Sequence, residues 1–198
     1  IEFCNVAAGP FCGMLLADLG ADVIKVEHPD GGDTMRAWPP ITAGYSENFA
    51  SLNRNKRSVT LDLKQPEARQ QARGLVLDAD VLIENNRPGV MCRLGLGYEA
   101  LQREKPSLVY CSISAFGQEG PRSGEGGFDL TIQARSAITS VTGEPDGATG
   151  PSVVAPASAA GAWLENNRRG NSVAMLGVSH TSAMPSTCHR VTRSRSTT

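Results

Sequence analysis

Short β-branched runs alternate with stretches of helical spacing as far as residue 113, and this alternation restricts the possible folds more than any other feature of the chain. Asp22 to Val26, Val81 to Ile83 and Leu108 to Ile113 are compact apolar runs of strand length, and Ser58 to Leu63 is β-rich and alternating. Ile1 to Phe3 reads as the end of a further strand. Between these runs, Phe11 to Leu19, Pro66 to Leu77 and Tyr98 to Lys105 carry apolar residues at helical intervals. Gly20 and Pro106 stop two of these helices and Pro66 starts the third. Pro88 to Leu94 reads as a short helix after a turn, and Pro29 to Tyr45 as a long irregular excursion rich in Gly, Pro and Asp. Strands and helices in this order predict an α/β fold built on a parallel sheet covered by helices.

Composition narrows the function classes. The 198 residues include 19 basic and 20 acidic side chains, so no global field draws the chain toward nucleic acid or a membrane surface. No apolar run is long enough to cross a bilayer, and no basic segment followed by an apolar one opens the sequence, so a cytoplasmic protein is expected. Cys4, Cys12, Cys92, Cys111 and Cys188 are scattered and form no CxxC pair, which argues against a disulfide framework or a zinc site. Downstream of Gly117 a loop rich in Gly, Pro and charge runs to Gly127, and Phe128 to Val141 returns to helical spacing. Thr142 to Pro151 is turn-forming, Ala155 to Trp163 is alanine-rich, and Met184 to Thr198 has hardly a side chain to bury. The expected organisation is one domain over residues 1–150, a poorly matched continuation over 151–182 and an unpacked tail over 183–198.

In open parallel sheets ligands gather at the carboxyl ends of the strands. The first such end leads through Val6, Ala7, Ala8, Gly9 and Pro10, small residues that let a phosphate approach a helix start or simply make a tight turn. The second supplies Glu27, His28 and then Arg36; the run after Ile83 supplies Glu84, Asn85, Asn86 and Arg87, with Arg93 further on. Guanidinium groups spread in this way suit a ligand with several phosphates, although a solvated or salt-bridged surface is the simpler explanation of them. Asn53 to Arg57 reads the same way. Gly95-Leu96-Gly97 lacks the third glycine and the strand-to-helix setting of a dinucleotide fingerprint, and neither a GxxxxGK[ST] loop nor a GxSxG elbow occurs. His28, His180 and His189 form no metal-ligand spacing, so no metal is expected.

A longer series of motifs is more specific. It begins with Ala8-Gly9-Pro10-Phe11, Leu19 to Glu27 and Gly32-Asp33-Thr34-Met35-Arg36, then Leu52 to Ser58 and Leu61-Asp62-Leu63-Lys64. It continues with Asp80 to Asn85, Arg87 to Met91, Leu94 to Tyr98, Tyr110 to Ser114, Phe116-Gly117-Gln118, Gly127-Phe128-Asp129 and Thr142-Gly143-Glu144. In this order and spacing the series resembles class III CoA-transferases, the group of the formyl-CoA:oxalate and carnitine CoA-transferases, from Ile1 to about Gly150.

The resemblance implies a Rossmann-like sheet with helices on both faces that holds coenzyme A, a second, small domain that is missing here, and an interlocked homodimer. It implies transfer of CoA from an acyl-CoA to a free carboxylic acid, with an aspartate attacking the thioester to give a mixed anhydride and then an aspartyl-CoA thioester. Carried onto this sequence, CoA contacts fall on Ala7, Ala8, His28, Leu61, Asp62, Leu63, Lys64, Asn85, Asn86, Arg87, Arg93, Glu125, Gly126, Gly127 and Phe128. His28 stands where such proteins often carry a basic residue, and an imidazole holds phosphate less firmly than a guanidinium.

Two features depart from the pattern. The nucleophile is expected in a Pro-x-x-Asp-x-x-x-Gly segment, but Val154 to Gly161 contains no aspartate and its spacing is about two residues short, leaving the catalytic residue unassigned. Val173-Ala174-Met175-Leu176 arrives early, and the Ser, Thr and Arg string after it resembles coding sequence read out of frame, so a truncated member of the group is expected. The related α-methylacyl-CoA racemases need a histidine base at the position of Phe128, which cannot take a proton. A catalytically inactive CoA-binding fragment is the other alternative.

Overall fold

A computed structural model describes residues 1–136. The expected boundaries at 150 and 182, the Val154–Gly161 segment and the tail lie outside the described residues. In chain order the elements are β1 (Glu2–Phe3), α1 (Ala8–Asp18), β2 (Val23–Glu27), a 3-10 turn (Thr34–Ala37), β3 (Ile41–Thr42), β4 (Tyr45–Ser46), α2 (Glu47–Asn53) and β5 (Lys56–Thr60). They continue with α3 (Pro66–Asp78), β6 (Val81–Glu84), α4 (Val90–Arg93), α5 (Tyr98–Glu104), β7 (Val109–Ser112) and α6 (Asp129–Arg135). Among these residues no helix is long and apolar enough to cross a membrane.

Five strands pair in the order β5-β2-β1-β6-β7, every neighbour parallel. The chain lays strands outward from β1 in one direction, then returns to continue from its other side, so the strand order reverses between β1 and β6. Alternate side chains along the strands enter different apolar layers. Phe3, Leu82 and Tyr110 pack with Ala72 and Val76 of α3 and Leu101 of α5. Cys4, Ile83 and Cys111 pack with Ala8, Cys12 and Leu16 beneath α1. Helices thus cover both faces of a Rossmann-like α/β sheet.

Three local readings differ from the sequence expectation. Helix α1 starts at Ala8, so Gly9 and Pro10 lie inside its first turn, where proline loses no needed hydrogen bond. Strand β5 begins at Lys56 rather than Ser58. The excursion after Pro29 contains the β3–β4 hairpin and leads into α2, capped by Ser46, whose Oγ accepts from the Phe49 N–H at 3.2 Å.

The sheet's centre also holds charge. Lys25 on β2 and Glu2 on β1 are 1% and 0% exposed at their side chains, and their ammonium and carboxylate lie 3.2 Å apart. Lys56 at the start of β5 reaches the same carboxylate at 3.0 Å and donates to the Pro10 carbonyl at 2.7 Å. Asp33, fully buried, closes the set 3.0 Å from Lys25. Two ammonium groups thus balance two carboxylates away from water. Removing one member of such a set leaves an uncompensated buried charge.

Gly9 and Gly13 let α1 approach β1 this closely. A Cβ on Gly9 would stand 2.4 Å from Cys4 Sγ, and one on Gly13 would stand 1.8 Å from Glu2 Oε2. Gly13→Ala is therefore expected to displace the shared carboxylate and cost about 3 kcal/mol or more. Gly74→Ala, on α3 where a new Cβ meets nothing within 4 Å, is expected to gain about 0.5–1 kcal/mol. Urea denaturation of the two variants should move the midpoint in opposite directions.

Candidate functional site

The loop leaving β1 is held in an unfavourable conformation. Val6 is β-branched yet adopts φ 65°, a region such residues avoid. Asp33 compensates: its carboxylate accepts the Val6 N–H at 3.0 and 3.2 Å and the Met35 N–H at 3.0 Å, while pairing with Lys25. The Asp33 N–H in turn donates to Glu27 Oε2 at 2.9 Å. Glu27 also receives Arg36 through Nε at 2.7 Å and Nη2 at 2.6 Å, and the Ser58 hydroxyl at 2.7 Å. Burial pushes this carboxyl up, but the Arg36, Asp33 and Ser58 hydrogen bonds outweigh it and hold the pKa at about 2.

The same contacts decide the role of two basic segments. Arg36 is committed to Glu27 and lies 3.8 Å over the Phe49 ring, so it is a structural cation at this edge. In the Asn53–Arg57 run, Arg54 pairs with Asp18, Arg57 pairs with Asp22 and Lys56 is buried. By contrast, Arg87 and Arg93 are exposed and enter none of the ion pairs of the described residues.

The loop after β6 is fastened to the loop after β1. Asn85 donates to the Asn5 carbonyl at 2.8 Å and accepts the Asn5 N–H at 2.9 Å, a reciprocal clasp across the strand-order reversal. Asn86 donates to the Phe3 carbonyl at 3.2 Å, and its own N–H reaches Glu84 Oε2 at 2.8 Å. Burial raises the Glu84 pKa against the opposing pull of its bonds to Ser112 and Asn86. Gly89 then turns the chain into α4 at φ 82°, a conformation that disfavours other residues.

These loops frame a cleft of 260 Å³ at the reversal. Of the residues singled out by sequence, it gathers Ala8, Asn85, Asn86, Arg87, Glu125, Gly126, Gly127 and Phe128. The wall formed by Glu125 to Phe128 lies close against the end of β7: a Cβ on Gly127 would stand 1.9 Å from Ala115 Cβ, and one on Gly126 would stand 3.0 Å from Arg87 Nη2. Phe128, 76% exposed, sits at the lip.

The other predicted positions are not among the residues lining the cleft. Ala7 precedes α1 and its carbonyl accepts the Phe11 N–H at 2.8 Å. His28 and Asp62 meet at the ends of β2 and β5, with His28 Nε2 3.5 Å from Asp62 Oδ1. Leu61 and Leu63 pack on the core, and Asp62 accepts from the Lys64 N–H at 3.0 Å, a bond that lowers its pKa. Arg93 lies beside the Gly89 turn, its Nη1 3.3 Å from where a Cβ on Gly89 would stand.

Pro88, Ile113, Ser114, Ala115, Asp129 and Ile132 also line the cleft, although sequence reasoning did not assign them to a site. The strand-end rule pointed to the Ile113–Ala115 stretch just past β7; Asp129 carried no such signal. Cys4, Cys12 and Cys111 are free thiols.

Comparison with known proteins matches residues 1–166 to the family described as CoA-transferase family III. The chain is 48% identical over 154 residues to a succinate–glutarate CoA-transferase of Agrobacterium fabrum, covering 74% of this chain and 38% of that protein. It is 43% identical over 148 residues to the succinyl-CoA:glutarate CoA-transferase of Mus musculus, covering 74% and 34%. The crystal structure of a CAIB/BAIF family protein from Brucella suis superposes with a TM-score of 0.75 at 40% identity, over 85% of this chain and 48% of that one. The chain thus spans less than half the length of these relatives.

The low pKa of Glu27 sets an expected acid response. Because it lies below the ordinary value of 4.5, ionised Glu27 contributes stability above about pH 4.5 that is lost as pH falls toward about 2. Urea midpoints measured across that window should fall steeply for the native chain. Glu27→Gln should start lower and fall less, because it cannot lose the ionised pair.

Proposed function

Because this chain belongs to CoA-transferase family III, we propose that its cleft at the strand-order reversal holds the coenzyme A portion of an acyl-CoA during CoA transfer to a carboxylic acid. The observation that carries this reading is the convergence of four separate segments at one opening. Ala8 at the start of α1, Asn85 to Arg87 after β6, Ile113 to Ala115 after β7 and Glu125 to Phe128 before α6 meet there. Arg87 stands beside that opening without a carboxylate partner, and Arg93 follows on α4, so both guanidinium forks are available to phosphate oxygens.

The relatives' names point to carboxylic acids such as succinate and glutarate as the acids exchanged. The proposed chemistry is carboxylate attack on the thioester carbonyl. An acyl-aspartyl anhydride forms as CoA thiolate leaves; the thiolate then attacks the aspartyl carbonyl, giving the aspartyl-CoA thioester and releasing the donor acid as its carboxylate. The acceptor carboxylate attacks that thioester, forming a second anhydride as CoA thiolate leaves, and the thiolate attacks its acyl carbonyl to give the new acyl-CoA and the free aspartate. Val154–Gly161, where the resemblance puts that aspartate, contains none and lies outside the described residues. That gap favours a second reading, CoA binding without turnover. Phe128 at the cleft lip offers no group for the proton exchange a racemase requires.

Calorimetric titration of the full 198-residue chain with CoA tests the proposal. Binding is expected, weakening as salt rises. Arg87→Ala and Arg93→Ala are each expected to lower affinity about tenfold or more. No binding by the native chain, or affinity in both variants unchanged from the native chain, would overturn it. Exchange of labelled glutarate into CoA thioester separates the two readings: the transferase supports exchange and the binding-only chain does not.

A further inference from the structure

Val6 turns the chain at φ 65° between two points on which the cleft depends. On one side Asn5 is clasped to Asn85, which lines the cleft two residues before Arg87. On the other side Ala8 starts α1 and forms part of the cleft wall. The helix then runs so near Asn85 that a Cβ on Gly9 would stand 3.1 Å from its Cγ. The torsion at Val6 therefore sets how the clasped end of the loop and the cleft wall stand relative to each other. A β-branched residue avoids this torsion, so without a restraint the turn would relax toward negative φ.

The restraint comes from far along the chain. Asp33 accepts the Val6 N–H on both carboxylate oxygens, at 3.0 and 3.2 Å. Its own position is fixed by full burial, by the Lys25 ammonium at 3.0 Å, by the Met35 N–H at 3.0 Å and by its backbone bond to Glu27. Neither Asp33 nor Val6 lines the cleft. Glycine would reach the same torsion without a restraint, at the cost of a looser loop. Valine under a fixed carboxylate gives instead a stiff turn whose conformation depends on that carboxylate.

We propose that Asp33 is a positioning residue for the cleft: by holding the Val6 N–H it keeps the strained turn in place, and so sets Ala8 and the Asn85–Arg87 segment for the ligand. This rests on the reading of the cleft as a CoA site. Asp33 acts through Val6, so its contribution to binding disappears once residue 6 no longer needs to be held.

The test titrates full-length variants with CoA and follows each by urea denaturation. Lys25→Met/Asp33→Ala removes one charge of each sign, leaving Lys56 balanced by Glu2, and is expected to weaken CoA about tenfold or more. Adding Val6→Gly to that pair should restore most of the affinity, and Val6→Gly alone should keep most of it. A merely structural role for Asp33 would not be rescued in this way, because a glycine at residue 6 replaces no buried charge. Val6→Pro leaves the four buried charges intact but fixes φ near −65° and removes the N–H, so it should also weaken CoA about tenfold or more. It decides the question if Lys25→Met/Asp33→Ala shows no cooperative urea transition. Undiminished affinity in Val6→Pro, a loss in Lys25→Met/Asp33→Ala that Val6→Gly leaves uncorrected, or equal losses in Val6→Gly and Val6→Pro would overturn the role of Asp33 alone. Failure of the native chain to bind CoA would instead overturn the cleft reading and this assignment with it.

Discussion

The Lys25 ammonium is the contact through which the first half of the sheet and the loop above it are made one unit. It projects from β2 into a place without water, and its partners come from separate segments: Glu2 at 3.2 Å, Asp33 at 3.0 Å and the Cys4 carbonyl at 2.7 Å. Glu2 is shared with Lys56, so β1, β2 and β5 meet at one carboxylate. Burying these charges gains little net stability over apolar packing. Its effect is positional: Asp33, fixed by Lys25, holds the Val6 N–H and keeps a valine at φ 65°, and that turn delivers Ala8 to the cleft.

A division of labour follows along the sheet's carboxyl edge. Amide side chains fasten loops to each other, as in the Asn85–Asn5 clasp and the Asn86 bond to Phe3. Glycines remove bulk where segments cross, as at Gly127 over Ala115. Cations split into two groups. Arg36 at this edge is neutralised by Glu27, and Arg54 and Arg57, at the opposite edge where β2 and β5 begin, are neutralised by Asp18 and Asp22, while Arg87 and Arg93 are outside every ion pair of the described residues. At the carboxyl edge, the arginines that can receive an anion therefore follow β6, next to the reversal, and Arg36, which follows β2, serves the scaffold.

The parallel α/β sheet was legible because its evidence is local: β-branched runs, helical spacing and terminating glycines or prolines each sit within a dozen residues. The strand-end rule likewise pointed to Ala8 and Asn85 to Arg87, which line the cleft, since the residues that open a strand's outgoing connection follow the strand directly. The buried charge set was illegible because its four members are dispersed across β1, β2, a turn and β5, and nothing in Asp22–Val26 distinguishes a buried Lys25 from a solvated one. Arg36 and Arg87 looked equivalent for the same reason. Only the fold puts Glu27 and Phe49 beside the first and leaves the second open. Helix α2 was missed because the cap that starts it, Ser46, lies at the end of a stretch whose glycines and prolines dominate the local pattern.

A charged edge around an apolar interior distinguishes the proposed ligand from a plain nucleotide. Nucleotide phosphates alone would be satisfied at the arginines and would leave Ala8, Pro88, Ile113 and Ile132 facing an empty apolar cleft. A purely apolar acyl chain would fill the interior and leave Arg87 and Arg93 without an anion. A molecule with phosphates at one end and a thin, mostly apolar arm at the other meets both demands at once. CoA, the ligand proposed from the family membership, has these features in that order, so the cleft's polarity suits it.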